Sequence, residues 1–270
     1  MNRHKSMAVL LGAALLASCD MLKDNGPQDI TGPVPPARIK FHNFSPSSVG
    51  VNFYANDTKM TGVLTSACAN PTTAADSTAC ATTGIESTTG TAYGGVASGG
   101  RYDAIAPGQY TLTARIAAKP DVVASVNQTI ADGKYYSYFM SGVYNAGTKT
   151  AEAFVVEDPT PAGAIDYTVA KVRFVNAVSN GTGPLNLYVT NAETKAESPA
   201  GGAVEYKNAS AFVSVPPGTY TLSARYTGSS TSTISRTAVS FLAGHVYTIT
   251  SRGSTATSST LGLDYTENQP

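Results

Sequence analysis

Tryptophan is absent from this 270-residue chain, and cysteine and histidine each occur only three times. Charged residues make up 13% of it, about half the usual share. The 18 basic and 18 acidic side chains cancel, so no net positive charge attracts a polyanion, which argues against nucleic-acid binding. No Gly-x-Ser-x-Gly elbow suggests a nucleophilic serine. No Asp-x-Asp ladder or EF-hand spacing suggests a built-in calcium loop. No segment after the first twenty residues carries a helical period. Thr, Ser, Ala and Gly fill the gap, together with 15 Tyr, a bias that suits an extracellular β protein with many turns.

The start of the chain has an address. Arg3, His4 and Lys5 precede an apolar run from Met7 to Ala17, interrupted by Gly12. A bilayer-spanning helix needs about 20 apolar residues, so the run reads as the core of a secretory signal. It closes on Leu16-Ala17-Ser18-Cys19, which resembles the box cut by the lipoprotein signal peptidase. Residues 1–18 are therefore expected to be a lipoprotein signal peptide, and Cys19 the acylated residue. Several acyl chains would hold the protein on a membrane, since each buried CH₂ contributes about 0.8 kcal/mol. Asp20 resembles an inner-membrane retention signal of enteric bacteria and leaves the choice of membrane open. Residues 19–36, with Gly26-Pro27 and Pro33-Val34-Pro35-Pro36, form an extended tether reaching roughly 50 Å. The mature chain carries 16 basic and 18 acidic side chains once Arg3 and Lys5 are removed.

The rest of the chain repeats itself. Ala37-Arg38-Ile39-Lys40-Phe41-His42-Asn43 returns as Ala170-Lys171-Val172-Arg173-Phe174-Val175-Asn176, at an offset of 133. Val51-Asn52-Phe53-Tyr54 returns as Leu185-Asn186-Leu187-Tyr188, at 134. Pro107-Gly108-Gln109-Tyr110-Thr111-Leu112 returns as Pro217-Gly218-Thr219-Tyr220-Thr221-Leu222, at 110, and Gly133 with Tyr136 matches Gly244 with Tyr247, at 111. Four matches in one order read as a tandem duplication, with copies at 37–156 and 169–266 joined by a linker at 157–168. The change of offset gives the first copy about 24 extra residues between Tyr54 and Gly108.

Both copies alternate with period two. Ile39, Phe41 and Asn43 share one face of a strand, while Arg38, Lys40 and His42 share the other, as expected for a half-buried strand. The Pro-Gly before each Tyr-Thr-Leu run reads as a type II turn, with glycine supplying the positive φ. The expected fold is all-β: two tandem β-sandwiches of the immunoglobulin-like kind. The tyrosine after Pro-Gly suggests a tyrosine corner.

These paired motifs resemble the bacterial family called domain of unknown function 4397. The resemblance implies a secreted or lipid-anchored envelope protein carrying the domain in tandem. It brings no catalytic residues, and the cysteine-bearing insertion departs from the family pattern.

Chemistry is thin along the rest of the chain. Cys68 and Cys80 fall in the insertion, and in an oxidising compartment the pair is expected to form a disulfide worth about 3 kcal/mol; a metal site is the rival reading, though two cysteines are too few ligands. The insertion itself reads equally as a functional loop or a tolerated surface segment. His42, on the polar strand face, and His245, in a turn where the first copy has Lys134, both read as surface residues. Gly142 to Lys149 nearly spells a phosphate loop, but the order Thr148-Lys149 and the strand-like residues after it make it a hairpin. Tyr135, Tyr136 and Tyr138 fit a core better than a sugar platform.

No catalytic, cofactor-binding or metal-binding residue is therefore assigned. The expectation is a lipid-anchored, non-enzymatic module on the periplasmic or cell-surface side of a membrane, binding an envelope protein or glycan or acting as a spacer. A carbohydrate- or peptidoglycan-binding lipoprotein is one alternative, and an enzyme with a loop-built site is another. Thiol labelling of the native protein should leave Cys68 and Cys80 unmodified until a reductant is added; immediate labelling would refute the disulfide.

Overall fold

The computed structural model describes residues 37–62, 87–159 and 165–268. The expected signal peptide, Cys19 and the expected tether lie outside those residues, as do Cys68 and Cys80. The first half contributes β1 (Ala37–Asn43), β2 (Val51–Ala55), β3 (Thr58–Lys59), β4 (Gly95–Val96), β5 (Asp103–Ile105), β6 (Gly108–Ile116), β7 (Val122–Ile130), β8 (Tyr135–Asn145) and β9 (Thr150–Glu157). The second contributes β10 (Ala170–Ser179), β11 (Leu185–Asn191), β12 (Glu197–Pro199), β13 (Val213–Val215), β14 (Gly218–Tyr226), β15 (Ile234–Phe241), β16 (Val246–Ser254) and β17 (Thr257–Glu267).

Each half is a sandwich of two sheets. In the first, one sheet runs β4-β1-β8-β9 with β5 also on β1, and the other runs β3-β2-β6-β7. In the second, the orders are β13-β10-β16-β17 and β12-β11-β14-β15. Every pairing is antiparallel except β1 with β8 and β10 with β16, which are parallel. The alternation of apolar residues does not distinguish parallel from antiparallel neighbours, so this feature is set by the tertiary structure alone.

The two cores use the residues that alternate inward. Ile39, Phe41, Phe53, Leu112 and Tyr138 fill the first, with Phe41 stacked on Phe53 at 5.1 Å between ring centroids. Val172, Phe174, Leu187, Leu222 and Ile249 fill the second. Each fully buried large apolar side chain contributes roughly 1.5–3 kcal/mol. A glycine in β8 and another in β16, Gly142 and Gly253, sit at φ 71° and 106° where the pairing with β9 and β17 shifts register. A Cβ on Gly253 would stand 2.4 Å from the Thr260 carbonyl oxygen, so the bulge requires glycine there.

The Pro-Gly motif is not the expected type II turn. Gly108 and Gly218 have φ of 155° and 152°, far from the roughly 80° of such a turn. Each opens a strand: the chain leaves β5 or β13 in one sheet and enters β6 or β14 in the facing sheet, so Pro-Gly marks a crossover between sheets. The neighbouring tyrosine does close this corner in the second half, where the Tyr220 hydroxyl donates to the Pro216 carbonyl at 2.8 Å.

The polar face of β1 also departs from expectation. Lys40 and His42 are each 1% exposed, and so is Arg173 at the matching place in β10. These strands are buried on both faces because the sheet containing β1 and β8 also packs against β10 and β16. A third apolar cluster, Phe44, Phe139 and Phe154 from the first half with Val175 and Ala177 from the second, lies in that seam. His42 stacks on Phe139 at 4.4 Å, so it is a buried seam residue.

Arg173 forms a buried ion pair with Asp158 in the seam. Replacing Asp158 by Ala would leave the guanidinium unmatched out of water, and should destabilise the protein by about 3–5 kcal/mol in urea unfolding. Asp158→Leu combined with Arg173→Met should cost far less; an equal loss in both variants would show that the charges are not what the seam depends on.

Candidate functional site

The seam gathers the titratable groups of both halves. Arg173 donates from Nη1 to the Glu157 carbonyl at 2.8 Å and from Nε to Thr248 Oγ1 at 2.9 Å, while Nη2 meets Asp158 Oδ1. The other oxygen of Asp158 accepts from the Tyr102 hydroxyl and from Ser137 Oγ, both at 2.7 Å. Lys40 donates to the Glu267 carbonyl at 3.1 Å and lies 4.2 Å from the centroid of the Tyr102 ring. Burial, first of all, lowers the Lys40 ammonium to about 8, and Asp158 partly offsets this. Burial and then the Asp158 charge push the Tyr102 hydroxyl far above its ordinary value.

The contacts across the seam are paired. Lys40 and Arg173 occupy matching strand positions, and each donates to the carbonyl of the final strand residue of the opposite half, Glu267 or Glu157. Tyr102 and Phe212 lie under these two cations in matching places. Tyr93 donates across to the Thr260 carbonyl, and its counterpart Tyr206 reaches back to Ser141 Oγ at 2.8 Å and Glu152 at 3.3 Å. Reciprocal contacts of this kind are what a two-fold interface produces. The match breaks at Asp158, whose counterpart Asn268 donates to Thr248 Oγ1 at 2.9 Å.

His245, expected at the surface, is partly exposed and pairs through Nδ1 with Glu267. Its counterpart Lys134 makes the same pair with Glu157 at 2.7 Å. Gly142 to Lys149 forms the β8–β9 hairpin, and Lys149 reaches Asp121 at 2.9 Å. Tyr136 and Tyr138 are core residues, whereas Tyr135 packs edge-on against Tyr102 at 5.2 Å. Sequence reasoning misses Asp158 and Tyr102 altogether. It reaches Lys40 and Arg173 but reads them as solvated; two cations at one repeated position inside an apolar strand were the available signal.

Two further features lie in the loops. The insertion departs after Gly62 and returns at Ser87, whose N–H bonds to the Gly62 carbonyl. Asn52 Nδ2 also holds the Ser87 carbonyl at 3.1 Å. Both ends of the insertion are therefore fastened at one point on β2. On the second half, a cleft of about 110 Å³ opens beside the β10–β11 loop, lined by Val178, Asn180, Gly181, Gly183, Leu185, Glu205, Tyr206 and Tyr226 among others. The Tyr226 hydroxyl is sequestered there without a hydrogen-bond partner.

Residues 170–270 match the family model described as a domain of unknown function, DUF4397. The match begins at the first residue of β10 and spans the second sandwich. No curated protein matches the sequence. Among solved structures, the chain is similar to a family 26 carbohydrate-binding module of Amy13K from Eubacterium rectale, in complex with maltoheptaose, at 13% identity and TM-score 0.25, covering 87% of this chain and 97% of that one. It is similar to a proposed cell-adhesion protein from Bacteroides ovatus at 10% identity and TM-score 0.22, covering 88% and 97%. A leucine-rich repeat protein from Bacteroides thetaiotaomicron matches at 11% identity and TM-score 0.19 over 78% of this chain, which spans a quarter of that protein's length. Likenesses of this size say nothing about function.

The seam makes stability depend on pH. Burial holds the His42 imidazole well below its ordinary 6.5, and the Lys40 and Arg173 charges add to this. The unfolded chain then binds more protons than the native one below pH 6.5, so stability falls as the pH drops through that range. Burial raises Asp103 to about 6 despite its bond from Ser98, so that carboxyl adds stability as pH falls from 6 towards 4. His42→Phe should therefore remove the loss between pH 6.5 and 5, read as Tm against pH. A variant as acid-sensitive as the parent would refute the role of His42.

Proposed function

We propose that this protein is a lipid-anchored, non-enzymatic envelope module: two duplicated sandwiches packed through a buried polar seam, presenting the insertion at 63–86 to a partner outside the cytoplasm. The observation that carries this reading is the use made of the titratable residues. Lys40, Asp158 and Arg173, among the groups best suited to chemistry, bond one half to the other, while His42 and Tyr102 are packed among their own half's side chains beside them. A group locked in an ion pair and removed from solvent is not placed to meet a substrate.

Duplication is supported by the matched strand orders and by pairs such as Asn43 and Asn176. Asn43 Nδ2 donates to the Thr91 carbonyl at 2.8 Å, and Asn176 Nδ2 to the Val204 carbonyl at 2.9 Å, each fastening the same loop of its own sandwich. Lipid attachment rests on the Cys19 box, and the tether would lift the pair clear of the membrane surface. The insertion is the feature that one half has and the other lacks. Its flanking residues Gly62 and Ser87 are hydrogen-bonded to each other, so the scaffold closes without it.

Deleting 63–86 and joining Gly62 to Ser87 should leave Tm within about 3 °C of the parent, since the joined ends are already in contact. Cross-linking in the native envelope fraction should lose its specific adduct in the same variant. A large drop in Tm would make the insertion part of the fold, and an unchanged adduct would place recognition elsewhere. Cys19→Ala should move the protein from the detergent phase to the aqueous phase; unchanged partitioning would overturn the anchor.

A further inference from the structure

We infer that the end of the molecule where β1 and β10 begin rests on the lipid bilayer through Ile165, Tyr167 and Leu242, given the lipid on Cys19 proposed above. These are the three most exposed large apolar side chains among the described residues, at 61%, 75% and 55%. They also cluster. A Cβ on Gly244 would stand 2.9 Å from the Tyr167 ring and 3.4 Å from a methyl of Ile165, and Leu242 belongs to the same turn as that glycine. The backbone of the turn is bonded: the Leu242 N–H donates to the Tyr247 hydroxyl at 3.2 Å, the His245 N–H to the Leu242 carbonyl at 3.3 Å, and the Gly244 N–H to the Val169 carbonyl at 2.8 Å. A fixed turn thus holds apolar side chains out in solvent, which is the mark of a contact surface.

The occupant follows from where the chain enters. Lys40 and Arg173 each reach the last strand residue of the opposite half, and farther along Phe44 clusters with Val175 and Ala177. β1 and β10 therefore run the same way across the seam, and Ala37 and Ala170 lie at one end. The turn carrying Leu242 is at that end too, since the His245 carbonyl accepts from the Lys171 N–H at 2.9 Å. Residues 19–36 lead from Cys19 into Ala37, so a lipid on Cys19 ties this end to a membrane. The insertion leaves from the opposite end, where Asn43, the last residue of β1, holds the Thr91 carbonyl. Left to the tether alone, the pair would stand clear of the surface; the patch draws the near end back onto it and turns the insertion outward.

The composition of the patch suits a bilayer interface. Tyrosine, an apolar ring with a polar tip, settles at headgroup level, and Ile165 and Leu242 can reach the acyl boundary beneath. Charge does not drive the contact. Arg38, Lys134 and Lys171 at this end are outnumbered by Asp132, Glu157, Asp166 and Glu267. Lys134 is paired with Glu157 and His245 with Glu267, while Asp166 accepts from the Thr168 N–H at 2.9 Å and its hydroxyl at 2.6 Å. Anionic headgroups, which bind through clustered bases, therefore gain nothing here. The first half has no such patch: the turn matching Leu242 to His245 runs from Ala131 to Lys134 and carries no large apolar side chain.

Because the chain has no tryptophan, Tyr167→Trp supplies a single fluorescent reporter. The full-length variant is taken from membranes in detergent and reconstituted in phosphatidylcholine vesicles containing lipids brominated along the upper acyl chain. It should float with the vesicles, and its emission should be quenched, as expected for a side chain about 5–10 Å into the interface. Val122→Trp, just past the β6–β7 turn whose Ala117 bonds to Gly50 at the other end, should float and stay unquenched. Adding Ile165→Ser and Leu242→Ser to the Tyr167→Trp chain should cut the quenching at least about threefold with Tm unchanged, since both side chains are exposed. Quenching should persist from about 0.05 to 0.5 M salt and gain nothing from added phosphatidylglycerol. Flotation without quenching overturns the inference and leaves the anchor standing, whereas failure to float removes the anchor and the inference with it. Salt-sensitive quenching or undiminished quenching in the serine variant also overturns it. So does emission that shifts with protein concentration but not with brominated lipid, which would put a second copy on the patch.

Discussion

The pairing of Arg173 with Asp158 is the interaction on which the arrangement of the chain depends. A guanidinium has no neutral form to retreat to near pH 7, so the seam can close over it only if a carboxylate closes with it. Asp158 meets that need and is itself held by Tyr102 and Ser137, which leaves neither oxygen unmatched. Around this pair the apolar cluster of Phe44, Phe139, Phe154, Val175 and Ala177 can exclude water. The energetic role of such a pair is one-sided: a seam of well-packed apolar residues would do as well, but half of an ion pair would not.

The near-symmetry of the seam explains its composition. Two matching strands meet, so the same position contributes a buried cation from each side, Lys40 and Arg173. Among the described residues one buried carboxylate, Asp158, accompanies them, because Asn268 stands at the matching place. The second cation is Lys40, whose ammonium can lose its proton, and burial has moved it to about 8. The asymmetry is thus consistent with the charge available: the cation that cannot be neutralised has the acid, and the other has a carbonyl and an aromatic ring.

The loops at this end diverge for a physical reason. Residues buried on both faces of β1 and β10 tolerate little change, whereas the segment between the third strand and the return to the first sheet is irregular and is fastened at separate points, such as Asn43 to Thr91 and Asn176 to Val204. In the first half that segment carries the insertion, with Gly62 and Ser87 joined and Thr89 packed onto Gly50. In the second half it is short and leaves a cleft beside Tyr226. One scaffold position has therefore been filled in one half and left open in the other.

The sequence by itself determined the all-β class, the recurrence of the strand motifs, the extra residues of the first copy and the inward face of its first strand, Ile39 and Phe41, and its Cys19 box alone carries the expectation of an anchor. Those properties follow from local order: charge before an apolar run, a period of two, and motifs recurring in sequence. His42 and Lys40 could not be read correctly that way, because a polar residue facing a partner sheet and one facing water give the same alternation. The parallel pairing of β1 with β8, the crossover at Pro107-Gly108, the Arg173–Asp158 pair and the cleft beside Tyr226 were decided only by the tertiary structure. Each joins residues distant in the chain, and the energy that fixes them, desolvation of matched polar groups between packed sheets, exists only once the sheets have met.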